Sequence, residues 1–308
     1  MRELVVGTRQ SLLALTQTNW VVNRLKEIRP DLNIQVKKIV TKGDRILNVT
    51  LSKVGGKGLF VKEIEQALLD GEIDFAVHSM KDMPAEMPKG LTIGAVPVRE
   101  NPRDCLISRG GITLDRLPAG AVVGTSSLRR QAQVLALRPD LVVEPVRGNL
   151  DTRLRKLREG QFDAILLAVA GLSRLDWKRE ITEEFGVDRM LPAVGQGALA
   201  IQCREDDQEM LGLFRQIHHE ETARAVRAER AFLAAFQGGC HLPIAAYAET
   251  VGEEVHLTGL VAHPDGRNVL KGTLSGKDEK AVGEALAREL IDRGAKQLLL
   301  EVREGLVG

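Results

Sequence analysis

Hydrophobic and polar positions follow two registers along the first two-thirds of the chain. Short apolar runs predict strands over 4–7, 34–40, 75–78, 91–98 and 105–108, and a 3.6-residue period predicts helices over 12–28 and 59–69 between them. The alternation resumes with a strand ending at Val123, strands over 141–146 and 164–169, and helices over 127–137 and 150–158. Alternating strand and helix implies a parallel-dominated sheet covered by helices. Polar segment 99–103 and loop-like segment 191–197 separate the two runs, and strand 198–202 is placed to cross back to the first sheet. The expected fold is therefore α/β, two lobes joined by two crossovers around a cleft, where this class binds ligands.

From about residue 217 the texture changes. A helix over 222–236, strands over 244–248, 255–261 and 269–274 and a helix over 281–291 predict a smaller C-terminal α+β domain. A chain of 308 residues is long for a single core. The expected division is 1–98 with 198–216 for the first, discontinuous lobe, 99–197 for the second, and 217–308 for the third domain.

Composition narrows the function. Lys and Arg (43) nearly balance Asp and Glu (42), and the chain has a single tyrosine, so a nucleic-acid partner is disfavoured for want of basic excess and stacking residues. No long uncharged apolar run occurs, and Met1–Gly7 leads into a strand without a signal segment, so the expectation is a cytoplasmic protein with no membrane partner. Cys105, Cys203 and Cys240 have no C-x-x-C spacing, which indicates neither a disulfide framework nor a thiolate metal site; no metal is expected. His218-His219 fails as a metal pair because adjacent side chains seldom face one another.

The arginines are a local concentration in this neutral chain. Thr125-Ser126-Ser127-Leu128-Arg129-Arg130 follows one predicted strand and Arg147-Gly148-Asn149-Leu150-Asp151-Thr152-Arg153 the next. Each burst puts free N–H groups, hydroxyls and guanidinium forks at a helix N-terminus, which is an anion site, and two in succession suit a ligand with several negative groups. His78-Ser79-Met80-Lys81-Asp82-Met83-Pro84 closes a buried strand, and there Asp82 reads either as an ionised carboxylate facing a developing cation or as half of a surface Lys/Asp pair. Lys53-Val54-Gly55-Gly56-Lys57-Gly58-Leu59-Phe60 lacks the ending of a P-loop and reads as a basic mobile lid or a plain flexible loop. Cys240, on a turn after Gly238-Gly239, is either a nucleophile or an attachment point.

Taken in order, Gly7-Thr8-Arg9-Gln10-Ser11, the 78–84 segment, Val123 to Arg130, Arg147-Gly148-Asn149 with Thr152-Arg153, Leu191 to Gly197, and Gly238-Gly239-Cys240 resemble the porphobilinogen deaminase (hydroxymethylbilane synthase) family over nearly the whole length. The resemblance implies two lobes similar to periplasmic binding proteins plus the third domain, and a monomer. It implies a dipyrromethane cofactor on Cys240 through a thioether, porphobilinogen as substrate, and catalytic Asp82. It assigns Lys81, Asp82, Ser127, Arg129, Arg130 and Arg147 to the cofactor, and Arg9, Ser11, Phe60, Arg147, Arg153, Arg174 and Gln196 to substrate and growing chain. Lys53 and Lys57 fall in the family's mobile loop, and His241 departs from the uncharged residue many relatives carry. Each porphobilinogen unit brings two carboxylates, which accounts for the arginines.

Competing classes fare worse. A non-catalytic anion receptor predicts a signal peptide and no third domain, and a cysteine hydrolase lacks an identifiable, well-separated histidine partner.

Overall fold

Strands that read as continuous apolar runs sit at the centres of two similar five-stranded sheets in a computed structural model, which describes residues 3–45, 61–236 and 242–307. The first sheet comprises β1 (Leu4–Thr8), β2 (Ile34–Lys38), β3 (Phe75–Ser79), β4 (Leu91–Ala95) and β10 (Leu199–Arg204), in the order β2-β1-β3-β10-β4. The second comprises β5 (Asp104–Ser108), β6 (Val122–Gly124), β7 (Val142–Glu144), β8 (Ala164–Ala168) and β9 (Glu183–Glu184), in the order β7-β6-β8-β5-β9. In each, four strands run the same way and a single strand from beyond a crossover, β10 in the first sheet and β5 in the second, is inserted antiparallel between the last two. The predicted cross-back occurs: β10 pairs with β3 and β4.

Helices α1 (Leu12–Ile28), α2 (Lys42–Arg45) and α3 (Lys62–Leu69) belong to the first run, and α4 (Leu128–Leu137), α5 (Leu150–Arg158) and α6 (Val169–Arg174) to the second. Helix α6 was not predicted, because Ala168 passes into Val169 without a polar break and the apolar run hides the switch from strand to helix. The short α7 (Gln208–Phe214), capped by Asp207 accepting from the Met210 amide, was also missed.

The third unit is an antiparallel meander, β11 (Ile244–Val251), β12 (Glu254–Ala262) and β13 (Val269–Gly276), covered by α8 (Glu220–Ala235) and α9 (Glu279–Asp292) and followed by the unpredicted α10 (Ala295–Val307). Helices α8 and α9 approach closely because Gly283 lies against the Ala228 carbonyl and Phe232 amide, where a Cβ would collide. The core of this unit, with Phe232, Leu257 and Leu286, also takes in Val194 and touches Leu128, so it is continuous with the second crossover and the start of α4.

Candidate functional site

The parallel strands end at one place. Arg9 and Ser11 follow β1, Lys81 and Asp82 follow β3, Ser127, Arg129 and Arg130 follow β6, Arg147 and Arg153 follow β7, and Arg174 lies in the helix following β8. These are the C-terminal strand ends at which open α/β sheets gather ligand groups.

The two serines are built in the same way. Ser11 caps α1 by accepting from the Ala14 amide at 3.3 Å, and Ser127 caps α4 by accepting from the Arg130 amide at 3.4 Å. Each hydroxyl therefore keeps its own hydrogen to give to an anion at a helix N-terminus.

Arg129 and Arg130 are buried, and both turn to Asp104, a fully buried residue that sequence reasoning did not single out. Its carboxylate accepts from Arg129 Nη1 at 2.5 Å and Nη2 at 3.3 Å, from Arg130 Nε at 3.0 Å and Nη2 at 2.8 Å, and from Gln196 Nε2 at 2.9 Å. Burial alone would raise the Asp104 pKa, but the two guanidinium charges and these hydrogen bonds hold it far below the usual carboxylate range. The arginines also donate to the Leu191 and Leu166 carbonyls. The legible signal was a carboxylate opening the apolar run Cys105-Leu106-Ile107.

Around this knot lie cations that repel one another. Burial first, and then the charges of Arg130 and Arg147, push Arg153 down to about 10. Burial pushes Arg174 down to about 10 against the opposing charge of Glu100, and lowers Arg147 as well. Burial and the charge of Arg130 bring Lys81 down to about 8, although Asp82 and Asp104 pull the other way. Arg153 donates only to the Gly148 carbonyl, at 2.9 Å, and neither it nor Arg147 has a carboxylate partner among the described residues.

Lys81 and Asp82 stand on a single 3₁₀ turn, Met80–Asp82, held by the Met80 amide donating to the Ala198 carbonyl at 3.0 Å. Met80 and Met83 are buried, while Lys81 and Asp82 between them are half-buried, with Lys81 within reach of the charges of Arg130, Arg129 and Asp104. Gly195 and Gly197 have φ of +70° and +87°; a Cβ on the first would sit 2.5 Å from Met80 Cγ, and on the second it would collide with the Glu100 carbonyl. Loop 191–197 therefore presses on both the Met80–Asp82 turn and the other crossover.

Gln196 between those glycines is buried, and its amide nitrogen is spent on the Pro102 carbonyl at 2.7 Å as well as on Asp104. Its Oε1 is buried without a partner among the described residues. Arg174 donates to the Gly197 carbonyl at 2.8 Å.

A second missed carboxylate fixes this loop to the third unit. Glu229 of α8 accepts from Arg99 Nη1 at 2.6 Å, Arg99 Nη2 at 3.2 Å, the Gly195 amide at 2.6 Å and the Ala248 amide at 2.9 Å. Its signal was position: Glu229 falls on the buried stripe of α8 with Ala225, Val226, Phe232 and Leu233. His78 is a packed strand residue: its Nε2 pairs with Gln202 Oε1 at 3.0 Å, and burial, assisted by the charge of Arg9, pushes it down to about 4. Phe60, Lys53, Lys57, Cys240 and His241 lie outside the described residues. No helix among the described residues is long and apolar enough to cross a membrane.

Comparison with known proteins adds independent findings. Residues 4–212 match the family model "Porphobilinogen deaminase, dipyromethane cofactor binding domain", and residues 223–292 match "Porphobilinogen deaminase, C-terminal domain". The chain is 59% identical over 308 residues to a porphobilinogen deaminase of Bacillus velezensis, covering 99% of this chain and 98% of that one. It is 60% identical over 299 residues to one of Brevibacillus brevis, covering 96% of each. Among solved structures, a periplasmic binding protein of Salmonella typhimurium with high arginine specificity is similar at a TM-score of 0.42 and 16% identity, covering 72% of this chain and 94% of that one.

Proposed function

The chain belongs to the porphobilinogen deaminase family, and from that premise we propose how its residues divide the work of the family's reaction. The protein is a transferase of tetrapyrrole biosynthesis that carries a dipyrromethane cofactor. It joins four porphobilinogen units with successive loss of ammonia, then releases hydroxymethylbilane by hydrolysis.

The residues present fit a cofactor bearing carboxylates and pyrrole N–H groups. Arg129, Arg130, Ser127 and Lys81 supply donors at one helix N-terminus and the adjoining turn, and the unpartnered Gln196 Oε1 supplies a buried acceptor. Cys240 would hold the group through its sulfur, two residues from Leu242, which lies in the core shared with Val194 and Leu128. When bound, the dipyrromethane supplies the nucleophilic pyrrole carbon to which units are added.

Arg9, Ser11, Arg147, Arg153 and Arg174 bind the acetate and propionate groups of incoming and growing chains, with Phe60 helping to position the rings and Lys53 and Lys57 acting from the loop. The observation that carries this reading is the cation cluster: Arg147 and Arg153, half-buried, pressed below their usual range and without a carboxylate partner among the described residues, gain most from a polyanion. Asp82 holds a carboxylate where positive charge develops on a pyrrole nitrogen as ammonia leaves, and moves the proton that the attacking ring gives up. The division 1–98 with 198–216, 99–197 and 217–308 is supported by sheet membership. We take the working form to be a cytoplasmic monomer.

The test is the intact mass of the native protein beside Cys240→Ala. A native excess of two linked pyrrole units, absent from the variant, is expected. An unmodified native chain that stays unmodified after addition of porphobilinogen would overturn the assignment of Cys240.

A further inference from the structure

We propose that Asp104 is the positioning residue of the cofactor cradle: it holds the guanidinium groups of Arg129 and Arg130 in one orientation and, through Gln196, in register with both crossovers, so that the donors they keep free meet the cofactor's carboxylates. The inference rests on the assignment of Arg129 and Arg130 to the cofactor and adds to it a residue that does not itself touch the ligand.

Geometry sets the role. Asp104 is the first residue of β5, directly after the first crossover, and Gln196 in the second crossover donates to both Pro102 and Asp104. One carboxylate thus gathers two arginines from the start of α4 and one amide from the far crossover. Each guanidinium has five N–H donors. Arg129 spends three, two on Asp104 and one on Leu191, and Arg130 spends three, two on Asp104 and one on Leu166. Each keeps two, and Arg129 Nε makes no hydrogen bond among the described residues.

Charge points the same way. Two guanidinium groups over one carboxylate leave the unit with a single positive charge, enough to hold a ligand carboxylate without the full repulsion of two bare cations. Burying three ionised groups is a poor means of filling a core, since an apolar set of equal volume is often as stable. Ionic anchoring does fix direction, because a planar guanidinium bound along one edge cannot turn. The donors left over are Arg129 Nε with one hydrogen on its Nη2, and one hydrogen on each of Arg130 Nη1 and Nη2, and the charges of both arginines reach Lys81.

The test uses the full-length protein freed of cofactor, mixed with porphobilinogen, with covalent uptake followed by intact mass. Asp104→Glu keeps the charge and moves the carboxylate by one methylene. Leu106→Ala, a core change on the same strand, serves as the stability control, and all proteins are compared at equal fractions folded. Asp104→Glu is expected to take up the cofactor at least 10-fold more slowly than both the native protein and the control, and Asp104→Asn more slowly again. In any molecules that do load, KM should rise less than about 3-fold, because the substrate arginines Arg147 and Arg153 do not contact Asp104. Native uptake by Asp104→Glu would reduce Asp104 to a counter-charge and overturn the proposal, as would equal slowing in the control. Should Arg129→Gln and Arg130→Gln both load normally, the assignment of the arginines falls instead. Normal loading by Asp104→Glu beside deficient arginine variants sinks the positioning role alone.

Discussion

Replacing Glu229 by Gln tests the junction that joins loop 191–197 to the third unit. Glu229 is fully buried and Arg99 is 10% exposed, so neither can turn to water when the pair is broken. Each Glu229 oxygen accepts from one Arg99 nitrogen and one backbone amide, Ala248 at Oε1 and Gly195 at Oε2, so the NH₂ group of glutamine, whichever oxygen it replaces, opposes one guanidinium donor and one amide. Leaving one partner of a buried ion pair uncompensated costs about 3–5 kcal/mol, and an orphaned buried amide adds about 1–3 kcal/mol. A loss of about 4–8 kcal/mol is a large share of a total stability of about 5–15 kcal/mol. Urea unfolding followed by circular dichroism measures the loss, and limited proteolysis shows whether the third unit comes loose first. The double variant Arg99→Leu with Glu229→Leu should be more stable than Glu229→Leu alone, since it removes the stranded charge. A loss below about 1 kcal/mol for Glu229→Gln, or no recovery in the double variant, would refute the assignment of this junction as a buried ion pair that costs more to halve than to remove.

Further outcomes are expected. Asp82→Asn should keep fold and cofactor, by circular dichroism and intact mass, while losing most turnover; near-normal turnover would remove the carboxylate from the chemistry. Gly197→Ala should lower the melting temperature and weaken substrate binding, because φ of +87° and the Glu100 carbonyl both exclude a Cβ and such strain costs about 1–3 kcal/mol; native values would show that the crossover yields freely. His78, held near 4 against an ordinary 6.5, is neutral in the folded protein and binds a proton more readily when unfolded. Its contribution is fully present above pH 6.5 and is lost as pH falls toward 4, by about 2–3 kcal/mol. Urea unfolding at pH 7.5 and 4.5 should show this dependence in the native chain and less of it in His78→Asn; equal slopes would place the titration elsewhere.

The chain's own pattern carried the alternation of strand and helix, because a buried parallel strand must be apolar and the next helix must show its apolar stripe to it. It carried the arginine bursts as well, since helix capping and anion binding both depend on residues adjacent in sequence: Ser127 with Arg130, Ser11 with Ala14. Local segments likewise placed Lys81 and Asp82 at a strand end. Nothing local reported which groups would share a carboxylate. Asp104 meets Arg129, Arg130 and Gln196 across separations of 25, 26 and 92 residues, and Glu229 meets Arg99 across 130. Those partners were fixed only when the two crossovers were laid side by side and the third unit was set against them. A charge's energy in a protein depends on the dielectric and the counter-charges around it, and both are created by burial that the folded chain alone supplies.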